Sequence, residues 1–103
     1  MHNRIFTQEM QEEHIETTTV KYDNGTEWVL EFYLQSLKTP EGDNLYGVKI
    51  NRSTLEGVLA ESNETFAATE NIDEALTMIR AFSRGKVLPI SLPHMVDDWV
   101  LQV

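Results

Sequence analysis

The chain of 103 residues contains no cysteine. That absence excludes a disulfide scaffold, a cysteine-ligated zinc site and a cysteine nucleophile. Long apolar runs are also missing, and nothing approaches the roughly 20 residues of a membrane-spanning helix. The opening MHNRIFTQEMQEEH is polar and acidic, without the apolar stretch of a secretory signal. A cytoplasmic location and no membrane partner are therefore expected. In that setting the Asn-x-Ser/Thr triplets at Asn24, Asn51 and Asn63 read as chance occurrences rather than glycosylation sites.

Glycine is scarce, and Gly25, Gly42, Gly47, Gly57 and Gly85 stand alone. No phosphate-cradling loop, nucleophile elbow or H-E-x-x-H helix can be assembled from them or their neighbours. Positive charge is the last shortage. Eight basic residues face 17 acidic ones, for a formal charge of −9. The basic residues are scattered, so no patch suits a phosphate backbone, and no nucleic-acid partner is expected. A net negative charge favours solubility. It also leaves open an acidic mimic or inhibitor of a nucleic-acid-binding protein.

The residues present, 41% of them hydrophobic, describe one folded domain. Residues 1–14 form a flexible or weakly helical N-terminal segment in this reading, with Ile5, Phe6 and Met10 as a thin stripe. Residues 15–103 form a single α+β domain. ETTTVKY (16–22) is rich in β-branched and aromatic residues, as strands prefer. Asn24-Gly25 then signals a two-residue hairpin turn. In EWVLEFYLQ (27–35), Trp28, Leu30, Phe32 and Leu34 alternate onto one face, leaving Val29, Glu31, Tyr33 and Gln35 on the other. After the loop KTPEGDN, Tyr46, Val48 and Ile50 alternate against Gly47 and Lys49. STLEGVLAESNE (53–64) reads as either a helical turn or a hairpin connection. ETFAATE (64–70) reads as a fourth strand, with Phe66 and Ala68 inward.

Asn71, with Glu74 three residues on, opens a helix that Arg84 and Gly85 close. VLPIS is expected to be extended, because Pro89 disfavours helix at Leu88. In SLPHMVDDWV (91–100), Leu92, Met95, Val96, Trp99 and Val100 fall at helical spacing. His94, Asp97 and Asp98 lie off that stripe. His94 and Asp98 are four apart and meet on a helix surface. They make either a solvated face or part of a metal-binding or hydrolytic site. Two helix-borne ligands are one short of the usual catalytic zinc set, so a third would have to come from Asp97, His14 or a remote glutamate.

YGVKI (46–50), the helix after NIDEA and VLPISLPHMVDDWV (87–100) resemble a family of small uncharacterised proteins of Firmicute bacteria, a domain of unknown function. Val87, Pro89, Leu92, Val96, Asp97, Asp98 and Trp99 carry the likeness, which covers the C-terminal half to two-thirds of the chain. His94 departs from the family's more usual histidine position. The resemblance implies a bacterial cytoplasmic protein and no particular activity.

The expected architecture is an antiparallel meander of three to four strands with two C-terminal helices packed on one face. Trp28, Leu30, Phe32, Leu34, Val48, Ile50, Ile72, Leu76, Ile79, Phe82, Val96 and Trp99 form its expected core. With one sheet face covered, Val29 and Tyr33 lie on the other and mark an interaction surface for a protein partner or a homodimer. The function expected is a non-enzymatic interaction or regulatory module with no cofactor.

Overall fold

The computed structural model describes residues 10–101, except for the side chains of residues 66, 67, 100 and 101. Four strands, β1 (Met10–Lys21), β2 (Glu27–Lys38), β3 (Asn44–Thr54) and β4 (Leu59–Thr69), pair in chain order. Every pairing is antiparallel, so the sheet is a meander. Helix α1 (Ile72–Arg84) and helix α2 (Leu92–Leu101) follow, and the fold is α+β as expected. No described helix is long and apolar enough to cross a membrane.

The segment read as a frayed or helical tail needs correction. Met10–His14 belongs to β1, where Glu12 pairs with Gln35 and His14 with Tyr33. Its composition favours neither state strongly, and cross-strand partners decide it. Residues 1–9 of that segment lie outside the described residues, as do the inward side chain expected of Phe66 and the stripe position of Val100.

All three hairpins use one turn design. Tyr22, Thr39 and Thr54 each accept a hydrogen bond from the N–H of the glycine three residues on. Each also donates its own N–H to the carbonyl of the residue after that glycine. Gly25, Gly42 and Gly57 take φ of 86°, 95° and 93°, the left-handed region that other residues enter at a cost. The loops are therefore three residues long with glycine last, not the two-residue turn expected of Asn24-Gly25. Thr39 and Thr54 repeat the design in their side chains, each Oγ1 accepting from the N–H four residues on. In the ambiguous stretch 53–64, residues 55–57 are thus the hairpin loop with Gly57 as its pivot, and Leu59–Glu64 already belong to β4.

The core forms on one sheet face. Leu30, Phe32, Val48 and Ile50 are wholly buried there, with Leu34 nearly so. Fully burying side chains of this size stabilises by about 1.5–3 kcal/mol each, before ordering costs. Helix α1 lays Ala75, Met78, Ile79 and Phe82 against them, and α2 adds Leu92 and Val96. Leu76 and Trp99 pack at the margin, with Trp99 edge-on to Phe82 at 6.2 Å.

Two expected core residues are not in it. Ile72 is 42% exposed, because the buried stripe of α1 centres between Ala75 and Phe82 and leaves the Ile72–Leu76 line at its edge. Trp28 is half-buried, and the Arg52 guanidinium stacks over its ring at 4.2 Å from the centroid.

Helix α1 begins as read, with Asn71 Oδ1 accepting from the Glu74 N–H at 3.1 Å. Its end differs. Gly85 is right-handed at φ −83°, and Lys86 takes the left-handed position at φ 54°. Val87 N–H then bonds to Phe82 carbonyl and Lys86 N–H to Ser83 carbonyl, the paired closure of a Schellman stop. Leu88 is extended, as Pro89 requires, but Pro89–Ser91 coils into one 3-10 turn rather than continuing extended. The Pro89 carbonyl accepts from Asn63 Nδ2 at 3.0 Å, which ties this link to β4.

Candidate functional site

Two regions were singled out by the sequence, and the fold separates them. His94, Asp97 and Asp98 lie on the exposed side of α2. His94 Nε2 stands 3.5 Å from Asp98 Oδ2, with 79% and 53% of the two side chains exposed. The i,i+4 meeting occurs, but no third ligand joins it. His14, one of the ligands considered, sits on the sheet face turned away from both helices. Among the described residues no group of three or more His, Asp and Glu side chains is placed to hold a metal ion. This arrangement amounts to a surface contact between two solvated side chains.

Val29 and Tyr33 lie on the sheet face opposite the core, where no described helix packs. The pairings set this face out in rows. Thr19, Val29, Ser53 and Leu59 make one row, and Thr17, Glu31, Asn51 and Ser62 make the next. His14, Tyr33, Lys49 and Glu64 follow, then Glu12, Gln35 and Gly47. Tyr33 is at the centre and half-buried. The His14 ring meets it edge-on at 5.4 Å, and Lys49 Nζ stands 5.6 Å from its centroid. His14 is itself held by Thr17 Oγ1 at 2.6 Å, and Ser62 donates to Asn51 at 2.6 Å.

A hydrogen-bonded group that sequence reasoning did not single out joins all four strands on this face. Gln35 is only 2% exposed, although it points to the uncovered face. Its Nε2 donates to Glu12 Oε2 at 2.9 Å and to Glu64 Oε1 at 2.5 Å. Glu12 lies on one neighbouring strand, but Glu64 lies two strands away. Gly47, directly beside Gln35 on the strand between, has no side chain to block the reach. Lys49 Nζ completes the group, 3.2 and 3.3 Å from the two oxygens of Glu12. Both amide protons are thus used, while Gln35 Oε1 is buried with no hydrogen-bond donor in reach.

The electrostatics follow from these contacts. The Gln35 amide, aided by Lys49, holds the Glu12 carboxyl below its usual range and outweighs the opposing effect of burial. Burial pushes the Tyr33 phenol up, reinforced by Glu31 and Glu12, with Lys49 acting in the opposite sense. Tyr33 therefore keeps its proton at neutral pH and presents an O–H able to donate. The signal for this group was the outward half of the period-two pattern. Glu12 escaped it because the residues around it were not read as strand.

The sequence of the chain matches one family profile over residues 11–102, nearly its whole length. The chain belongs to DUF6514, a family of unknown function. No curated protein and no solved structure gives a significant match. The DUF6514 match extends the likeness seen in residues 46–50 and 87–100 back to the start of β1. It takes in every side chain of the Glu12–Gln35–Glu64 group.

Proposed function

We propose that the chain is a non-enzymatic protein-interaction module whose docking surface is the uncovered face of the sheet, around Val29 and Tyr33. The observation that carries this reading is the division of the sheet. All described helices pack on one side, while on the other Val29, Glu31, Tyr33, Lys49 and Asn51 of the two central strands form a half-buried array with the tyrosine at its centre, flanked by exposed residues of β1 and β4. A rigid strand lattice positions contact groups with little entropy left to lose on binding. Tyrosine combines a large apolar ring with a polar tip and is enriched at protein interfaces. A bacterial cytoplasm is part of the proposal, in keeping with a fold that uses no disulfide.

Site-specific photo-crosslinking in cells of the source organism tests it. A photoreactive residue at Asn51, on the uncovered face, is expected to give a discrete adduct. The same residue at Asp97, on the outside of α2, is expected to give none. Equal labelling from both positions, or adducts from Asp97 alone, would refute the reading.

A further inference from the structure

We infer that the partner presents a basic side chain, an arginine above all, to the Glu12–Gln35–Glu64 group. This rests on the uncovered face being the docking surface and names the chemistry that the face selects.

The first support is charge. Across the central rows of the uncovered face, Glu12, Glu31 and Glu64 are set against the single ammonium of Lys49. Lys49 is already engaged with Glu12. No lysine or arginine lies within ion-pair distance of Glu64 or Glu31 among the described residues. The contact nearest to one is His14, 3.9 Å from Glu31. A second copy of this chain would bring like charges together face to face, so the surface favours a basic partner over itself.

The second support is Gln35. Burying an acceptor without a donor costs free energy, and native folds leave few such atoms. Here the amide spends both protons on carboxylates and leaves Oε1 without a donor, in a side chain that is 2% exposed. Turning the amide over would only point its oxygen at two carboxylates. The group thus joins two carboxylates to an amide whose own oxygen lacks a donor. A guanidinium carries five N–H donors in a planar fork and no acceptor. Its charge answers Glu12 and Glu64, and its spare N–H donors match the acceptor that the fold leaves unpaired. Gly47 leaves the space beside Gln35 without a side chain.

The test uses the blocked peptide acetyl-Gly-Arg-Gly-Arg-Gly-amide, titrated into the isotopically labelled protein and followed by NMR. Saturable shifts are expected at the Gln35 side-chain amide, the Gly47 N–H and Lys49. The double variant Glu12→Gln/Glu64→Gln keeps oxygen acceptors for Gln35 but removes two charges. It should weaken binding by about tenfold, the loss of one strong charge-assisted contact. Glu41→Gln/Glu56→Gln removes the same charge from the hairpin loops and should leave affinity unchanged. Shifts spread evenly over the acidic surface, or equal weakening by both variants, would overturn the inference.

Crosslinking from Asn51 separates this inference from the reading beneath it. An undiminished adduct in Glu12→Gln/Glu64→Gln sinks the basic-partner inference and leaves the docking face standing. No adduct in the wild type sinks the docking face itself. An adduct with the mass of two copies of this chain also sinks the basic-partner inference.

Discussion

The two faces of the sheet are built from the same strands but held together by different forces. On the helix-covered face, Leu30, Phe32, Val48 and Ile50 exclude water completely. Their stabilisation is non-directional and scales with the apolar area removed from solvent. On the uncovered face, Tyr33 and Gln35 are also largely hidden, but by polar neighbours at defined distances. Such contacts stabilise weakly against water and specify geometry strongly. The covered face therefore supplies most of the folding free energy, and the uncovered one supplies an ordered pattern of chemical groups.

The sharpest way to break that comparison is to truncate adjacent residues of β2. Phe32→Ala opens a cavity in the covered core and should cost about 3–5 kcal/mol, enough to leave the fold marginal. Tyr33→Ala, one residue along and on the other face, should cost about 1–2 kcal/mol, because water fills part of the space. Urea denaturation followed by tryptophan fluorescence reads both. Equal losses would mean that the uncovered face is a second core, and the division drawn here would fail.

The division was legible in the sequence because period-two alternation fixes which side chains share a face. Leu30, Phe32 and Leu34 fall on one side of β2, and Val29 and Tyr33 fall on the other, as their spacing requires. The Asn71–Glu74 start of α1 was legible for a similar reason, since one side chain bonds to a nearby N–H. Other features depend on partners far apart in sequence. Glu12, Gln35 and Glu64 meet only through strand pairing, and no local pattern joins them. The strand state of Met10–His14 also depends on β2 beside it. The exposure of Ile72 depends on which line of α1 the sheet selects. The left-handed turn after α1 falls on Lys86 rather than Gly85, and no local pattern marks a lysine for a conformation that costs it free energy.

A smaller effect separates two glycines that the sequence makes look alike. Gly57 sits at φ 93° in the β3–β4 turn, so Gly57→Ala should destabilise by about 1 kcal/mol despite open space around its Cβ position. Gly85 sits at φ −83°, and an added Cβ meets Ala81 carbonyl at an ordinary 3.4 Å. Gly85→Ala should therefore stabilise by about 0.5–1 kcal/mol, by restricting the unfolded chain. Thermal melts of the two variants should move in opposite directions. A shared sign would contradict the turn geometry that carries the hairpins and closes α1.

The smallest expected effect is a pH dependence that belongs to the uncovered face alone. Glu12 has its carboxyl held low by the Gln35 amide and Lys49. A carboxyl whose folded value lies below its unfolded value binds fewer protons in the native state. Its contribution to stability is therefore full above the ordinary glutamate value, about 4.3, and drains away as pH falls through the depressed one. Glu12→Gln removes that titration but keeps an oxygen acceptor for Gln35. The stability gap between wild type and Glu12→Gln should thus be largest near pH 7 and narrow between about pH 5 and pH 3. Denaturation midpoints across that range measure it. The tested carboxylate is solvent-accessible, so the gap should shrink at high salt even at neutral pH. A gap that ignored both pH and salt would assign the Glu12 contribution to packing, and the contrast between an apolar face and an electrostatic one would have to be redrawn.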